Sequence, residues 1–584
     1  MLHRFFWLNT TWLCCGLISI SLDRISSPLS AQTINPNLAP NPVIRSPERL
    51  PDLTPSWSFD PIPPSNSFTP SAPISPIDGN GVPTTIKILR YEVIGTDVLG
   101  QAEVDAATSK FTGDRKSITD IQNARAEIDK LLFNKQYITS GARVPPDQDL
   151  QIDGAIVKIE VIPGRLEEIK VSGGENSRLN PSYVKSRLEI ATGAPLNKER
   201  LLEALQLLQL DPLIKNISAE LSAGTKPGTN LLEIKFTENP SFSTQISLNN
   251  NRSPSIGSFE RRIQINQGNL LGIGDGINIA YANTDGSNSI DARYSIPISP
   301  YNTTLSFSFG KASSRVIEAP FNQLDILSSS LYYEMSLRQP ILQTVKDQIA
   351  REIALGLTTS HQQSETSLLN TPFPLSVGAD DQGRTSVSTL RFFQEYIQRD
   401  SQEAWFLRSQ FSLGLNALNA TINATAPDGR FVAWRGQGRW HRNLSSDMAI
   451  LVRGDVQLSD RTLVPLEQIS LGGQSTVRGY RQDLALNDNG AFASAELQFP
   501  ILRTDDQKSI LKISPFIEYG NVWKSSGGAN STPNNLASIG VGLEGKLGGL
   551  TARFDWGIPL LKDPSRRNTW QENGLYFSIQ YNPF

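Results

Sequence analysis

The chain has 584 residues, enough for several separate cores. Its formal net charge of −3 offers no basic excess for nucleic acid, and charged residues make up 19%, below the roughly 25% usual in soluble domains. Hydrophobic residues, at 38%, are too few for a bundle of membrane helices but suit a barrel with one apolar and one wet face.

Residues 1–31 read as a secretion signal. His3 and Arg4 give a positive start, a mostly apolar run follows over 5–22, and Leu29-Ser30-Ala31 offers a small-residue cleavage site before Gln32. A membrane anchor is the competing reading, but Asn9, Thr10 and Thr11 interrupt the run and leave it short for a span. Both cysteines, Cys14 and Cys15, fall inside this segment, so the exported chain is expected to carry no disulfide and no thiolate metal site. Further on, no run of about 18 apolar residues suggests a membrane helix. Residues 32–84 form a linker in which thirteen prolines lie between Pro36 and Pro83, a composition that favours extended chain. The alternative is a docking segment with Trp57 and Phe59 as its aromatic handles.

From Ile86 the pattern changes. Residues 86–94 alternate as a strand, and Ser117-Ile-Thr-Asp120 looks like a capping box for a helix with Ile121, Ala124, Ile128 and Leu131 at helical spacing. Strand-like pieces follow near 137–144 and 155–162, giving the order strand, helix, helix, strand, strand. That order repeats: a strand at 166–171, a helix opened by Asn180-Pro181, a helix with the stripe Leu201, Leu202, Leu205 and Leu208, then strands at 214–221 and 231–236. Two units with one element order, 85–163 and 164–239, are a repeat of small α/β domains.

After Pro240 helical spacing disappears. Leu305, Phe307 and Phe309 alternate with Ser306 and Ser308; Phe411, Leu413 and Leu415 with Ser412, Gly414 and Asn416; Leu497 and Phe499 with Glu496 and Gln498; Leu575, Phe577, Ile579 and Tyr581 with Tyr576, Ser578 and Gln580. Turns rich in Asn, Asp and Gly separate the segments, as at 283–288 and 487–490. A soluble β-sandwich also alternates. Here the polar face carries Ser, Gly, Gln, Glu and Arg in mid-strand without an intervening helix, and the chain ends on Tyr581-Asn-Pro-Phe584, an aromatic finish common in outer-membrane barrels. Residues 240–584, at roughly 20 residues per strand and loop, are therefore expected to form a transmembrane β-barrel of ~16 strands around an aqueous lumen. The fold class expected is mainly β: this C-terminal barrel preceded by the two small α/β domains.

Leu471-Gly-Gly-Gln-Ser-Thr-Val-Arg-Gly-Tyr480 resembles the V-R-G-Y loop of the two-partner secretion transporters, the hemolysin-activator family called TpsB, within the superfamily of outer-membrane insertases with POTRA domains. In that family the loop folds back into the lumen, and its arginine pairs with the acidic residue of a wall motif written F-x-D-x-G. The counterpart here is Phe516-Ile-Glu-Tyr-Gly520. The resemblance thus implies a loop lock built from Val477, Arg478, Gly479 and Tyr480 against Phe516, Glu518 and Gly520. Period-2 geometry puts Phe516, Glu518 and Gly520 on one face, and glutamate in place of aspartate lengthens the arm that would reach Arg478. Read from the residues alone, a bidentate arginine–carboxylate pair could hold such a loop; the competing reading is an exposed arginine in a glycine-rich hairpin. Residues 144–154 resemble the stretch before the last strand of the family's first POTRA domain, 269–275 its early barrel hairpin, and 488–496 the strand after the loop. The resemblance covers about 86–584. Family members often place a pore-plugging helix where residues 32–84 lie, and no clear helix is visible there.

The resemblance implies an outer-membrane translocator whose periplasmic POTRA domains capture a large, unfolded exoprotein and pass it through the barrel, surrounded by outer-membrane lipid. An insertase that builds other barrels would share the inner loop, but two POTRA units rather than more favour the exporter. No G-x-x-x-x-G-K-[ST] is present, so neither nucleotide nor other cofactor is expected, and no nucleic acid. An outer-membrane enzyme is disfavoured because His361 and His441 read as loop-like and belong to no nucleophile–base arrangement. A passive porin would leave the two N-terminal domains without a task.

Overall fold

A computed structural model of the chain describes residues 85–584, except 149, 151–153, 227, 446–447, 505–508, 528–532, 563–567 and 584, together with 29–31 and 43–45. Apart from those two triplets, the expected secretion signal and proline-rich linker lie outside the described residues, as do Phe584 and part of 144–154. The chain divides into two compact units with a boundary between Asn239 and Pro240.

The N-terminal unit holds the two small domains. In the first, Ala155, Val157, Ile159 and Val161 alternate inward from strand Ala155–Ile162 and pack on Ile121, Ala124, Ile128 and Leu132 of helix Ile118–Asn134. Ser117 opens that helix: its hydroxyl accepts from the Asp120 N–H at 3.3 Å, while the Asp120 carboxylate accepts from the Ser117 N–H at 2.7 Å. The sheet runs in the order Gly113–Lys116, Ile86–Ile94, Ala155–Ile162, Gly141–Arg143. Two details depart from the expected element order. Gly113–Lys116 adds a strand between the helices; it is polar and largely exposed, so no apolar alternation announces it. Of residues 137–144, only Gly141–Arg143 is strand, because the chain leaves the helix through a turn in which the Ser140 N–H donates to the Tyr137 carbonyl at 3.0 Å.

The second domain runs Arg165–Gly173, Pro181–Glu189, Lys198–Gln209, Ile214–Ala223 and Thr229–Glu238. Asn180 caps the helix behind Pro181 by accepting from the Ser182 N–H at 2.9 Å. Leu201, Leu205 and Leu208 bury against Leu232, Ile234 and Phe236 of the central strand.

The C-terminal unit is a closed barrel of sixteen antiparallel strands. In chain order they are β1 (Phe242–Asn249), β2 (Glu260–Gln267), β3 (Gly276–Asn283), β4 (Ser287–Pro297), β5 (Thr304–Arg315), β6 (Leu327–Lys346), β7 (Ile349–Leu368), β8 (Arg384–Arg399), β9 (Glu403–Leu415), β10 (Val432–Asn443), β11 (Ala449–Ser459), β12 (Asn489–Arg503), β13 (Ser509–Trp523), β14 (Asn535–Leu547), β15 (Leu550–Pro559) and β16 (Leu575–Tyr581). A two-residue piece, Thr371–Pro372, pairs beside β7. The ring closes where β1 meets β16, from Ile246 opposite Tyr581 to Asn249 opposite Ser578.

Alternation gives the wall its two faces. Phe307 on β5 and Leu413 on β9 point outward and are about half exposed, whereas Ser306 and Ser412 point inward and are buried. A cation on the outer face loses its hydration to lipid. Phe307→Arg is therefore expected to destabilise the barrel by about 2–4 kcal/mol if it lies near the bilayer midplane. Urea unfolding in vesicles measures the change, and an unchanged midpoint would contradict the assignment of that face. No helix among the described residues is long and apolar enough to cross a membrane, which bears only on helical spans.

Two sequence expectations fail in the barrel. His361 and His441 are not in loops: His361 lies on β7, where its Nδ1 is 2.9 Å from the Ser388 hydroxyl, and His441 is buried on β10. Residues 358–366 on β7 are polar on both faces of the wall and His441 faces the polar lumen, so these segments mimic loops in composition. Likewise 487–490 is no free turn, since only Asp488 lies outside strands there, at the junction between an inner hairpin and β12.

Candidate functional site

Between β11 and β12 the chain folds inward over residues 460–488 instead of crossing directly to the next strand. Ile469–Leu471 pairs with Ala485–Asn487, and the tip between them carries Val477, Arg478, Gly479 and Tyr480. Ile469, Leu471, Val477, Tyr480, Leu484 and Ala485 share one buried apolar cluster with Phe492, Val522 and Leu536 of the wall. Water is thereby excluded from the base of the loop, which strengthens every charge contact above it.

Arg478 is 2% exposed and meets three carboxylates on three different strands. Its Nη2 is 2.7 Å from Glu518 Oε1 on β13 and 3.0 Å from Glu496 Oε2 on β12, and its Nη1 is 2.9 Å from Asp555 Oδ1 on β15. Nε also donates to Glu518 Oε1 at 3.0 Å, while the backbone N–H of Arg478 donates to Oε2 at 2.6 Å. The longer arm of glutamate thus spans guanidinium and main chain together. Phe516 lies flat beneath, its ring centroid 3.4 Å from the guanidinium carbon. Gly520 leaves room for the loop: a Cβ there would come within 2.6 Å of Leu471 Cδ1 and 3.2 Å of Val477 Cγ2. All seven residues singled out from the sequence therefore sit at one place.

Several further residues belong to the site. Arg453 on β11 donates to Glu518 Oε1 at 3.1 Å and to the Ser475 carbonyl at 3.1 Å. Arg553 on β15 binds Glu496 at 3.0 Å and Asp555 at 2.8 Å, so each acid around Arg478 has a second cation or donor. Gln474 donates to Asp555 Oδ2 at 3.1 Å. Tyr576 on β16 joins the ring: its hydroxyl accepts from the Gly479 N–H at 3.0 Å and donates to the Tyr480 carbonyl. The Tyr480 hydroxyl in turn donates to the Ala537 carbonyl at 2.9 Å. Beyond the tip, Arg481 pairs with Glu572 at 2.8 Å and Glu318 at 2.8 Å, and Glu467 takes both oxygens to Arg391 at 2.7 and 2.8 Å.

These added groups left two faint signals in the sequence. Asp555 stands between Phe554 and Trp556, and Tyr576 occupies the polar face of an otherwise alternating strand. Period-2 geometry turns both inward. It does not say that they face the same loop, because register across distant strands is fixed only by closure of the barrel.

The comparisons with known proteins agree with this geometry. Residues 228–545, more than half of the chain, match the family described as haemolysin secretion/activation protein ShlB/FhaC/HecB, and residues 86–164 match the POTRA domain of ShlB type. The heme/hemopexin transporter protein HuxB of Haemophilus influenzae is 25% identical, over 74% of this chain and 76% of HuxB. The outer membrane transporter CdiB of Dickeya dadantii is 23% identical, over 72% of this chain and 74% of that protein. The solved structure of CdiB from Escherichia coli has the same fold, with a TM-score of 0.64 at 18% identity, covering 88% of this chain and 93% of that one. The barrel lies in the outer membrane and the POTRA domains in the periplasm. It is a transport protein of a family that is not one of enzymes. With an inner loop seated in a closed sixteen-stranded barrel, POTRA-like domains ahead of it and the family model spanning more than half its length, the chain belongs to the haemolysin secretion/activation family of ShlB, FhaC and HecB.

Proposed function

We propose that this chain exports one large partner protein, which its POTRA domains receive unfolded in the periplasm and its barrel passes outward through the lumen. Arg478 and its carboxylates act as the lock that holds the inner loop in the lumen between passages. The observation that carries this reading is the way the loop is held: buried ion pairs on three strands fasten a segment that an empty pore would not need. Such contacts are strong while shielded and weaken once water enters, so a lock of this kind has two states. An extended polypeptide meets a POTRA domain most simply by adding a strand to a sheet edge. No nucleotide is required in this scheme, and folding of the partner outside biases its movement outward.

Comparing the proteins released by cells with and without this gene tests the reading. Deletion is expected to remove one large protein from the medium and leave it in the periplasm. An unchanged set of released proteins would overturn the proposal, and a loss of many outer-membrane barrels instead would favour the insertase.

A further inference from the structure

β1 begins directly after the periplasmic domains, so the connections that follow odd-numbered strands lie at the opposite, outer end of the barrel. They gather into two half-rings around the mouth. One half holds the connections after β15, β1, β3 and β5. Here Gln571 donates to the Arg252 carbonyl at 2.7 Å, the Gly286 N–H to the Ile256 carbonyl at 3.0 Å and the Ile317 N–H to the Ser255 carbonyl at 2.8 Å. The other half holds the connections after β7, β9 and β13 together with the root of the inner loop. Here Asn423 donates to the Gly378 carbonyl at 3.0 Å and the Pro427 carbonyl at 2.8 Å, and Asp428 pairs with Leu463 in a parallel bridge. Leu463, Val464 and Leu466 bury against Val387 and Phe431.

The inner loop runs from one half to the other. Its root is pinned among the connections after β7–β13: Asp488, wholly buried, accepts from the Leu463 N–H and the Gln468 amide, both at 2.9 Å, and from the Ser525 N–H at 3.0 Å. Its tip reaches the opposite half, where Arg481 meets Glu572 and Glu318, each at 2.8 Å, and the Gln482 N–H donates to Gln571 Oε1 at 2.9 Å. Arg481 is 5% exposed, so drawing it away from both acids leaves buried charge unpaired, and the contact is either made or broken. Arg478 stands three residues before it, and three residues of chain span at most roughly 11 Å. The tip therefore cannot leave the lumen while Arg481 still holds.

We propose that the inner loop is a strap that also holds the outer mouth shut, and that the movement which clears the lumen for the transported chain unfastens the two half-rings at the same time. This rests on the export function proposed above. A seated loop closes the lumen and its exit together, and a passing polypeptide opens both by displacing one segment. No second trigger at the cell surface is needed.

Distances across the mouth test this in the full-length transporter in lipid vesicles. The barrel contains no cysteine, the only two being Cys14 and Cys15. Spin labels go on Asn322→Cys and Thr425→Cys, exposed positions in opposite halves. Electron–electron double resonance is expected to give one short distance with the loop unaltered and a second, longer one in Arg481→Ala, with the barrel's heat-resistant mobility on gels retained. Arg478→Ala is expected to add the longer distance in proportion to the fraction cleaved by protease between 472 and 484. The same single distance in Arg481→Ala, or in molecules whose 472–484 segment has become cleavable, would overturn the strap. A cleavable bis-maleimide joining the two cysteines is expected to stop release of the exoprotein identified by the deletion comparison, and cutting the bridge to restore it. Undiminished release through joined loops would overturn export through the mouth, whereas halves that never part overturn the strap alone and leave the export reading standing.

Discussion

Replacing Arg478 by alanine is expected to free the inner loop without opening the barrel. The substitution removes one cation from contact with Glu518, Glu496 and Asp555, all buried. Arg453 and Arg553 stay behind, so three acids are left facing two cations. Breaking a buried pair by deleting one partner costs about 3–5 kcal/mol, which shifts the balance between seated and released loop by roughly two to four orders of magnitude. Arg478→Lys is expected to recover little of this. A point-charge ammonium cannot reach carboxylates on three strands together, nor lie flat on Phe516. The barrel's own ladder of strand pairs is untouched, so its heat-resistant mobility on gels is expected to persist. Protease cleavage between 472 and 484 reads the loop directly. Retained protection of that segment in the alanine variant would show that the apolar base and the Arg481 and Glu467 contacts suffice. Glu518→Ala alone is expected to be milder than the arginine change, since it removes one of three acids. The double variant should cost less than the two singles added, because they share a contact.

The seven residues with a local signal, at 477–480 and at 516, 518 and 520, lie within two short stretches that the resemblance to the V-R-G-Y loop and the F-x-D-x-G motif brings into notice. Arg478 is set between a buried valine and a glycine, and Glu518 stands one pleat from Phe516 and Gly520. Barrel, strand number and the two α/β domains were legible for a different reason: alternation over a long stretch and a repeated order of helices and strands are global patterns that single residues cannot blur. What escaped were short or mixed elements and long-range partners. Gly113–Lys116 has no apolar face to reveal it. His361, on the outer face opposite Tyr333, and His441, on the lumen face, sit in strand stretches rich in polar residues that resemble loop. Asp555 lies 2.9 Å from Arg478 only because β15 comes round the ring to the loop, and no spacing along the chain encodes that closure.

The loop's dependence on bare backbone leads to a second large effect, at Gly557. Here β15 and the loop cross main chain to main chain. A Cβ at Gly557 would lie 2.5 Å from the Gly479 nitrogen and 2.6 Å from the Arg478 carbonyl carbon, contacts that no rotamer can relieve. Gly479 itself has φ +100°, a conformation that favours glycine, and a Cβ on it would come within 3.0 Å of the Pro559 nitrogen. Gly557→Ala is therefore expected to push the loop off the wall, at a cost of about 1–3 kcal/mol or more because the obstruction is backbone. It keeps every charge of the lock, so it separates the seat of the loop from its electrostatics. Gly454→Ala is the control: it lies beside Arg453 on β11, and the nearest atom to its added carbon would be 3.8 Å away. The expected result is cleavage between 472 and 484, with loss of export, in Gly557→Ala and full protection in Gly454→Ala. Equal protection in both would mean that the wall yields at β15, and that close packing of the two backbones is not what holds the loop in place.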